Sequence, residues 1–470
     1  MAPGAQRPVE IPEAVRALAS AVAGAGGHLY IVGGWVRDLL RGSPCKDIDL
    51  ATDLPPARVK KALEGFGPLY TVGEKFGTVC VIAGDYTFEV TTLRTDVYTP
   101  GSRHPEVTHI EDIVEDLTRR DFTINAMAVE VAPATGRLID PFDGAGDLER
   151  RLVRAPGPPA SRMAEDPLRM MRAIRFAAQL GFNVDGELMR VLTEDSHLLA
   201  GISWERRRDE LEKILVSPNP DVGVRMLVDT GLMEHVSPEV AAMKGVEQPP
   251  GYHRADVLEH TLLAVGYVRP DPLLRRAALF HDVGKPVVKV SEPKVSFPEH
   301  DKVGVELTRA AMRRLRYGNE DIQKTVFLVR RHMRPIRYER DWSDAAVRRL
   351  IRDCTLIKDG KVVVEQSDVF ELARADIRAG SLEAAPRFLD LLDSLEARIE
   401  ELGAREEIKA ARSPLDGREL MELFGLGPGP WLRGVKDHLT HKVVDGELAP
   451  DDKESAARLA RDYLESTGVL

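Results

Sequence analysis

LYIVGGWVRDLLRGSPCKDIDLAT, residues 29–52, is the stretch that decides the fold. It opens on a short apolar run, Leu29 to Val32, of strand length. A Gly33-Gly34 turn follows, then an amphipathic helix opening at Trp35, a Gly42-Ser43-Pro44 break, and a second strand carrying Asp47 and Asp49. Side chains alternate faces along a strand, so Asp47 and Asp49 share one face and Ile48 and Leu50 the other. Two carboxylates on one face repel unless a cation lies between them, and hard oxygen ligands suit Mg²⁺. The glycine pair lets backbone N–H groups approach a ligand closely and sets a helix N-terminus beside it, which is an anion site. A phosphate grip beside a divalent-metal pair implies nucleotide chemistry.

Taken singly, an Asp-x-Asp is ordinarily a solvated strand end and a Gly-Gly an ordinary turn. Their joint occurrence in one strand–turn–helix–strand unit, with Arg37 and Asp38 on the helix, is far more specific. GGxVRD…DxD resembles the signature of the polymerase beta superfamily of nucleotidyltransferases, in particular its tRNA nucleotidyltransferase and poly(A) polymerase branch. The resemblance implies an α/β nucleotidyltransferase (polymerase beta-like) head followed by all-α neck, HD and tail domains. It also implies that Asp47 and Asp49 are catalytic Mg²⁺ ligands and that Gly33, Gly34 and Arg37 grip a triphosphate.

Composition agrees with a multidomain globular chain. The 470 residues suffice for about two to four domains. Hydrophobic residues make up 43% and charged residues 30%, as in soluble proteins. No apolar run approaches the roughly 20 residues needed to span a bilayer. The first residues lack a signal-peptide core, so a cytoplasmic location and no membrane contact are expected. The three cysteines, Cys45, Cys80 and Cys354, are far apart and odd in number, which suggests neither a disulfide framework nor a zinc site. With a net charge of −10, any RNA contact must come from local basic surface.

Residues 78–83 and 86–93 read as a hairpin around Gly84-Asp85. Glu89, on the face opposite Phe88 and Val90, either adds a third carboxylate to the metal pair or stands solvated. Residues 94–110 read as a mobile loop carrying Tyr98, Arg103 and His104, a kind of segment that often bears function beside an active site. Arg119, Arg120 and Asp121 then precede a helical segment. Arg120 either holds phosphate and sugar oxygens in bidentate fashion or pairs with Asp121 at the surface. RRDFTINA, 119–126, resembles the second motif of the same family, whose residues contact ribose and phosphates. DPFDGAGDL, 140–148, resembles its next, a turn that hinges head against neck.

The second informative stretch is AEDPLRMMRAIRFAAQLGF, 164–182. Asp166 with Pro167 is a good helix opening. At 100° per residue Met170, Met171, Ile174, Ala177 and Ala178 form one apolar face. Asp166, Arg169, Arg172 and Arg175 recur every third residue and drift around the opposite side. An Asp–Arg pair at this spacing is commonly a plain helix salt bridge, but three arginines are more than one aspartate needs. In the family that the stretch resembles, EDxxR is a protein template for the incoming base. Cytosine and adenine both offer an amino donor beside a ring-nitrogen acceptor, which Asp166 and Arg169 complement. Guanine and uracil would oppose like groups and leave buried polar atoms unpaired. Arg172 and Arg175 are expected at the triphosphate. SWERRRDELEKIL, 203–215, reads as a capped, charged helix supporting the template helix.

A different chemistry follows. His260, His281 with Asp282, His300, His332 and Asp376 fall on successive helical segments, and HDVGKP, 281–286, is a specific string. A single helical histidine is more often a core or surface residue than a ligand, but this series resembles the HD phosphohydrolase superfamily. The resemblance implies a divalent metal (Mn, Ni or Fe) that activates water against phosphate esters. His260, His281, Asp282 and Asp376 are its first candidate ligands, His300 and His332 its second.

Arginines interleaved with Tyr317, Tyr338 and Trp342 (Arg313, Arg314, Arg316, Arg330, Arg331, Arg334, Arg337, Arg340, Arg348, Arg349) form either an RNA-binding surface or a solvated helix face. The Gly-Pro-Gly-Pro turn at 427–430 either brings N–H groups to phosphates or simply connects helices. The expected domains are an N-terminal helix (1–28), head (29–150), neck (151–245), HD domain (246–385) and RNA-binding tail (386–470).

The resemblance implies a template-independent enzyme that uses CTP and ATP to add CCA to the tRNA 3′ end. A-addition alone and poly(A) synthesis are alternatives within the family. Family members that add only CC resemble versions lacking the 94–110 loop, so its presence favours CCA or A addition. Two expectations of other classes stand beside these: an HD phosphohydrolase with a nucleotide-sensing head, and a non-enzymatic RNA-binding protein.

Overall fold

The computed structural model describes residues 11–43, 48–72, 77–83, 86–97, 106–131, 136–249, 256–380, 383–403 and 412–470. The chain forms two units, Met1–Val236 and Ser237–Leu470.

The first unit is built on strands β1 (Leu29–Val32), β2 (Ile48–Thr52), β3 (Leu69–Val72), β4 (Thr78–Ala83), β5 (Tyr86–Thr92), β6 (Arg94–Val97), β7 (Glu106–His109), β8 (Ala128–Glu130) and β9 (Arg137–Ile139). Seven of them make one sheet in the order β3-β4-β5-β2-β1-β8-β9. β2 and β5 pair in parallel, with Asp49 level with Glu89; the other pairs in this sheet are antiparallel. Both faces are covered, which is why β1 reads as an unbroken apolar run. Leu29 and Ile31 join a core with Trp35, Leu50, Phe88 and Met127. Tyr30 and Val32 point the other way, into a smaller cluster with Ala51, Leu93 and Leu117. On β2, Ile48 and Leu50 are buried and Asp49 is exposed, as the alternation requires. Asp47 lies outside the described residues.

The segment expected as a loop at 94–110 has a paired base. β6 and β7 form an antiparallel ladder from Arg94↔His109 to Val97↔Glu106. Thr95 and Thr108 supply β-branched side chains that favour it. Tyr98, Arg103 and His104 lie outside the described residues. The helical segment expected after Asp121 is a single 3₁₀ turn, Thr123–Asn125, leading into β8.

The helix Leu168–Leu180 starts after Pro167 and stops at Gly181, whose φ of 66° ends it in the left-handed conformation. Its apolar face is buried as expected. Two arginines of its stripe are buried too, Arg169 at 7% exposed and Arg175 at 8%, while the Arg172 side chain stays 33% exposed. The stripe is thus a charged seam, with Arg175 against the neighbouring helix Trp204–Leu215.

The second unit packs the helices Val257–Tyr267, Pro272–Phe280, His300–Arg314, Asn319–Arg331 and Gln366–Ala379 on one another. Leu356–Lys358 and Lys361–Val364 form a hairpin around Asp359-Gly360, both with positive φ, the conformation that an Asp-Gly turn favours. The helices Gly417–Phe424, Pro430–Val444 and Lys453–Ser466 close a core of their own around Leu420, Val435, Leu439 and Leu464. Among the described residues no helix is long and apolar enough to cross a membrane.

Candidate nucleotide pocket and histidine–aspartate cluster

A cleft of about 390 Å³ in the first unit gathers residues that are far apart in sequence. Gly33, Gly34 and Asp49 come from the first motif. Arg37, Arg119, Arg120, Arg169, Arg172 and Arg206 bring six guanidiniums against three carboxylates, those of Asp49, Asp121 and Asp166. That excess of positive charge suits a polyanion. Gly33 has φ +73°, and a Cβ there would stand 3.0 Å from Arg120 Nη1 and 3.5 Å from Asp49 Oδ2. Only glycine lets backbone, guanidinium and carboxylate converge so closely.

The arginines are held by designated partners. The buried Asp116 accepts from Arg119 Nε and Nη2 at 2.9 and 2.7 Å and from Arg120 Nη2 at 3.2 Å. The surface pairing of Arg120 with Asp121 is therefore replaced by a buried one with Asp116. Asp121 instead accepts from Arg172 Nε at 2.9 Å, from Asn125 Nδ2 at 3.1 Å and from the Phe122 N–H at 2.9 Å. Burial pushes the Asp121 pKa up, but Arg172 and these hydrogen bonds outweigh it and hold the carboxyl below its ordinary value. Asn125 Oδ1 accepts from Arg37 Nη1 at 2.8 Å, and Arg37 also grips Asp38. Arg37 and Arg172 are thus joined through one amide and one carboxylate.

Asp166 and Arg169 both face the cleft, and the helix salt bridge between them gives way to other partners. Asp166 accepts from the Leu168 N–H at 3.2 Å and from Arg206 Nη2 at 3.0 Å. Arg169 donates to the carbonyls of Arg162 and Arg119 at 3.0 and 2.8 Å and to Glu165 at 2.8 Å. These described bonds use three of the five N–H donors of a guanidinium. Arg175 does not line the cleft as Arg172 does. It is buried, with Nε 3.1 Å from Glu210 Oε2, and burial lowers its pKa.

In the second unit the six expected HD residues meet in two adjoining groups. His260, His281 and Asp376 form one; Asp282, His300 and His332 form the other, the ligand atoms of each group lying within 4.8 Å of one another. His281 Nε2 stands 3.3 Å from His260 Nε2, and His300 Nε2 3.4 Å from His332 Nε2. Asp282 spans the groups: Oδ2 is 3.2 Å from His281 Nε2 and Oδ1 is 3.6 Å from His300 Nε2. Asp376 Oδ1 is 2.9 Å from His260 Nε2. Three imidazoles are oriented by backbone. Nδ1 of His281, His300 and His332 meets the carbonyls of Ala278, Phe297 and Val329 at 2.7, 3.0 and 2.7 Å. A carbonyl accepts only, so Nδ1 carries the proton and the Nε2 lone pair points into the cluster. Lone pairs and carboxylates turned on one another repel unless cations lie between them, so the donor set fits divalent metal. Burial opposes charge on His281, yet Asp282 raises its pKa, while burial and the His281 charge push His332 down to about 4. Asp282 is buried, which works against its charge, but His281 and Lys285 hold it well below the usual range. Asp282, His300 and Asp376 open onto a cavity of about 800 Å³ walled by Phe297, Ile336 and Phe388.

Comparison with known proteins places these features in a family. Residues 29–154 match the poly(A) polymerase head domain, 181–244 a probable RNA- and SrmB-binding site of polymerase A, and 253–397 the HD domain. The A-adding tRNA nucleotidyltransferase of Deinococcus radiodurans is 34% identical over 442 residues, which cover 91% of this chain and 94% of the relative. The chain belongs to the tRNA nucleotidyltransferase family. It is accordingly a nucleotidyltransferase with a mixed α/β head and a helical remainder. A CCA-adding enzyme of Lactobacillus johnsonii is 43% identical over 213 residues, a match that spans 52% of that relative's length. The structure of the Bacillus stearothermophilus CCA-adding enzyme in complex with CTP superposes with a TM-score of 0.67 at 26% identity, covering 98% of this chain and 100% of that one. The Thermotoga maritima CCA-adding enzyme with tRNA shares the fold, with a TM-score of 0.57 at 21% identity.

Sequence reasoning on this nucleotidyltransferase overlooked Asn125, Phe176 and Arg206, all of which line the cleft. Asn125 and Phe176 lay inside quoted motifs but carry no charge, and Arg206 sat in a helix assigned a supporting role. Half of the ten arginines of the second unit's basic stretch are seen in ion pairs. Arg314 meets Glu239, Arg330 Asp301, Arg334 Asp353, Arg340 Asp390 and Arg349 Asp445, at 2.5 to 3.1 Å. These five guanidiniums behave as a solvated, neutralised face. At the Gly-Pro-Gly-Pro turn, Trp431 Nε1 donates to the Gly427 carbonyl at 2.8 Å, which closes the turn on itself.

Proposed function

We propose that this chain completes the 3′ end of tRNA by adding C, C and A from CTP and ATP, working in the cytoplasm. The observation that carries this reading is the convergence on one cleft of Asp49, the Gly33-Gly34 turn, the phosphate-binding arginines and the Asp166–Arg169 wall. Asp49 is exposed and level with Glu89 on the parallel neighbour; with Asp47, the other carboxylate of the sequence motif, they make up a hard oxygen set that suits Mg²⁺. Bound there, Mg²⁺ would lower the pKa of the RNA 3′-hydroxyl and offset the charge of the leaving pyrophosphate.

The protein's own part is positioning and electrostatics. Gly33 and Gly34 offer close backbone approach. Arg37, Arg120 and Arg172 hold the triphosphate and sugar, so that the 3′-oxygen bonds to the α-phosphorus as its bond to pyrophosphate breaks. Asp166 accepts from the amino group of cytosine or adenine, and Arg169, fixed by two backbone carbonyls, donates to the adjacent ring nitrogen. In this reading 29–150 is the head, 151–245 the neck, 246–385 the HD domain and 386–470 the RNA-binding tail. The HD cluster, rich in imidazole, fits Mn, Ni or Fe, which His260, His281, Asp282 and Asp376 would hold and which would supply water activation against phosphate esters.

A-addition alone is the second reading, favoured by the match along 94% of the A-adding relative. The test is incorporation into tRNAs ending at the discriminator base, at C and at CC, each with CTP, ATP or both. Stepwise C, C, A and then a stop is the expected result. Extension of the CC-ended tRNA alone would establish the A-adding reading. No incorporation, or full activity retained in Asp49→Asn, would overturn both.

A further inference from the structure

Phe176 is the hub of the charged seam. The guanidinium carbons of Arg37, Arg172 and Arg175 lie 5.4, 5.6 and 4.4 Å from its ring centroid. Phe122 meets the ring edge-on, with centroids 5.6 Å apart and planes at 79°, which fixes its orientation. Each of the three cations has a carboxylate of its own: Asp38 for Arg37, Asp121 for Arg172 and Glu210 for Arg175. Three like charges around one ring still repel, and the negative face of an aromatic quadrupole is the group that draws them together without adding a counter-charge. A fourth carboxylate would compete with a triphosphate; an aromatic ring does not. Arg37 and Arg172 face the cleft, and the ring is 7% exposed, too covered to stack a nucleobase.

We infer that Phe176 is a positioning residue whose ring sets the spacing and tilt of Arg37 and Arg172, so that the two meet the triphosphate of the incoming nucleotide as a preset pair. The inference rests on the nucleotidyl-transfer reading. It is tested with Phe176→Leu, which keeps apolar bulk and removes the quadrupole, and Phe176→Tyr, which keeps both. Two cation–π contacts correspond to about a 5- to 30-fold change in nucleotide affinity. Phe176→Leu is expected to raise KM for ATP and CTP by that factor with kcat within about threefold. Phe176→Tyr is expected to stay within about threefold of the parent in both. Should Phe176→Leu fail to fold, as read by circular dichroism, Phe176→Met takes its place under the same criteria. An unchanged KM in the aliphatic variant, an equal rise in the tyrosine variant, or a loss confined to kcat would each overturn the inference. Equilibrium dialysis with ATP separates this failure from that of the larger reading. A parent that binds ATP yet incorporates nothing refutes nucleotidyl transfer, and the leucine–tyrosine comparison is then made in Kd.

Discussion

Replacing Glu210 with alanine would strand a cation inside the first unit. Glu210 is 4% exposed and Arg175 8%, and their charged atoms stand 3.1 Å apart without the angle of a hydrogen bond. Removing one partner of a buried ion pair costs about 3–5 kcal/mol, because the other is left desolvated and uncompensated. Arg175 keeps the face of Phe176, and the half-exposed Lys213 that also meets Glu210 contributes little, so the lower end, about 3 kcal/mol, is expected. With a urea slope of roughly 3 kcal/mol per molar, the unfolding midpoint of Glu210→Ala falls by about 1 M. The double variant Arg175→Met with Glu210→Leu fills the seam with apolar groups and should recover to within about 1 kcal/mol of the parent. Urea titrations followed by tryptophan fluorescence read all three, with Trp35 and Trp204 in this unit. A single variant that loses less than about 1 kcal/mol, or a double variant no more stable than the single, would refute the buried-pair account.

Gly33→Ala forces an L side chain to φ +73° and sets a methyl 3.0 Å from Arg120 Nη1, so both a lower thermal midpoint, from strain of about 1–2 kcal/mol, and a higher nucleotide KM are expected; a variant with neither contradicts the glycine argument. Asp282→Ala should reduce metal bound to the HD domain by elemental analysis more than His332→Ala does, since Asp282 reaches both ligand groups; equal losses would argue against a shared carboxylate. Dialysis against a chelator should abolish any phosphate-ester hydrolysis by this domain, and hydrolysis that survives metal removal would refute metal-activated water. The folded pKa of Asp121 lies below its ordinary 3.8, so its stabilisation is complete above that value and fades as pH falls through the lower folded one. Below about pH 4 the parent should therefore lose stability more steeply than Asp121→Asn, as read by unfolding midpoints at stepped pH; parallel curves would refute the linkage.

What was legible in the sequence was what periodicity and glycine encode. The alternation of Ile48, Asp49 and Leu50 fixed which face of β2 meets the core, and the hairpin of β4 and β5 followed from its turn. The HD residues were legible because HDVGKP resembles the string of a known superfamily, which the spacing of the other histidines then joined. Partner choice was not legible. Arg120 and Asp121 are adjacent in the chain, yet one bonds to Asp116 and the other to Arg172, 51 residues on. Arg175 was expected at the triphosphate because helical period shows only which residues share a face, not that Glu210 on a second charged helix takes one of them. Phe176 passed unnoticed for a related reason: amid arginines an aromatic reads as ordinary core, and only the distances to three guanidiniums give it another role.

The backbone carbonyls behind His281 and His332 mean that part of the histidine–aspartate cluster is written in spacing rather than in residue type. Each histidine follows the end of a helix, and its Nδ1 satisfies a carbonyl three residues earlier, in the last turn. At positions 278 and 329 the bond uses a peptide group, which every residue supplies; alanine and valine there are interchangeable with any helix former that fits. A point substitution would leave the imidazole tautomer intact, whereas deleting one residue between Ala278 and His281 would turn the ring about 100° away from its carbonyl. These two histidines are therefore tolerant of mutation behind them and intolerant of changes in length.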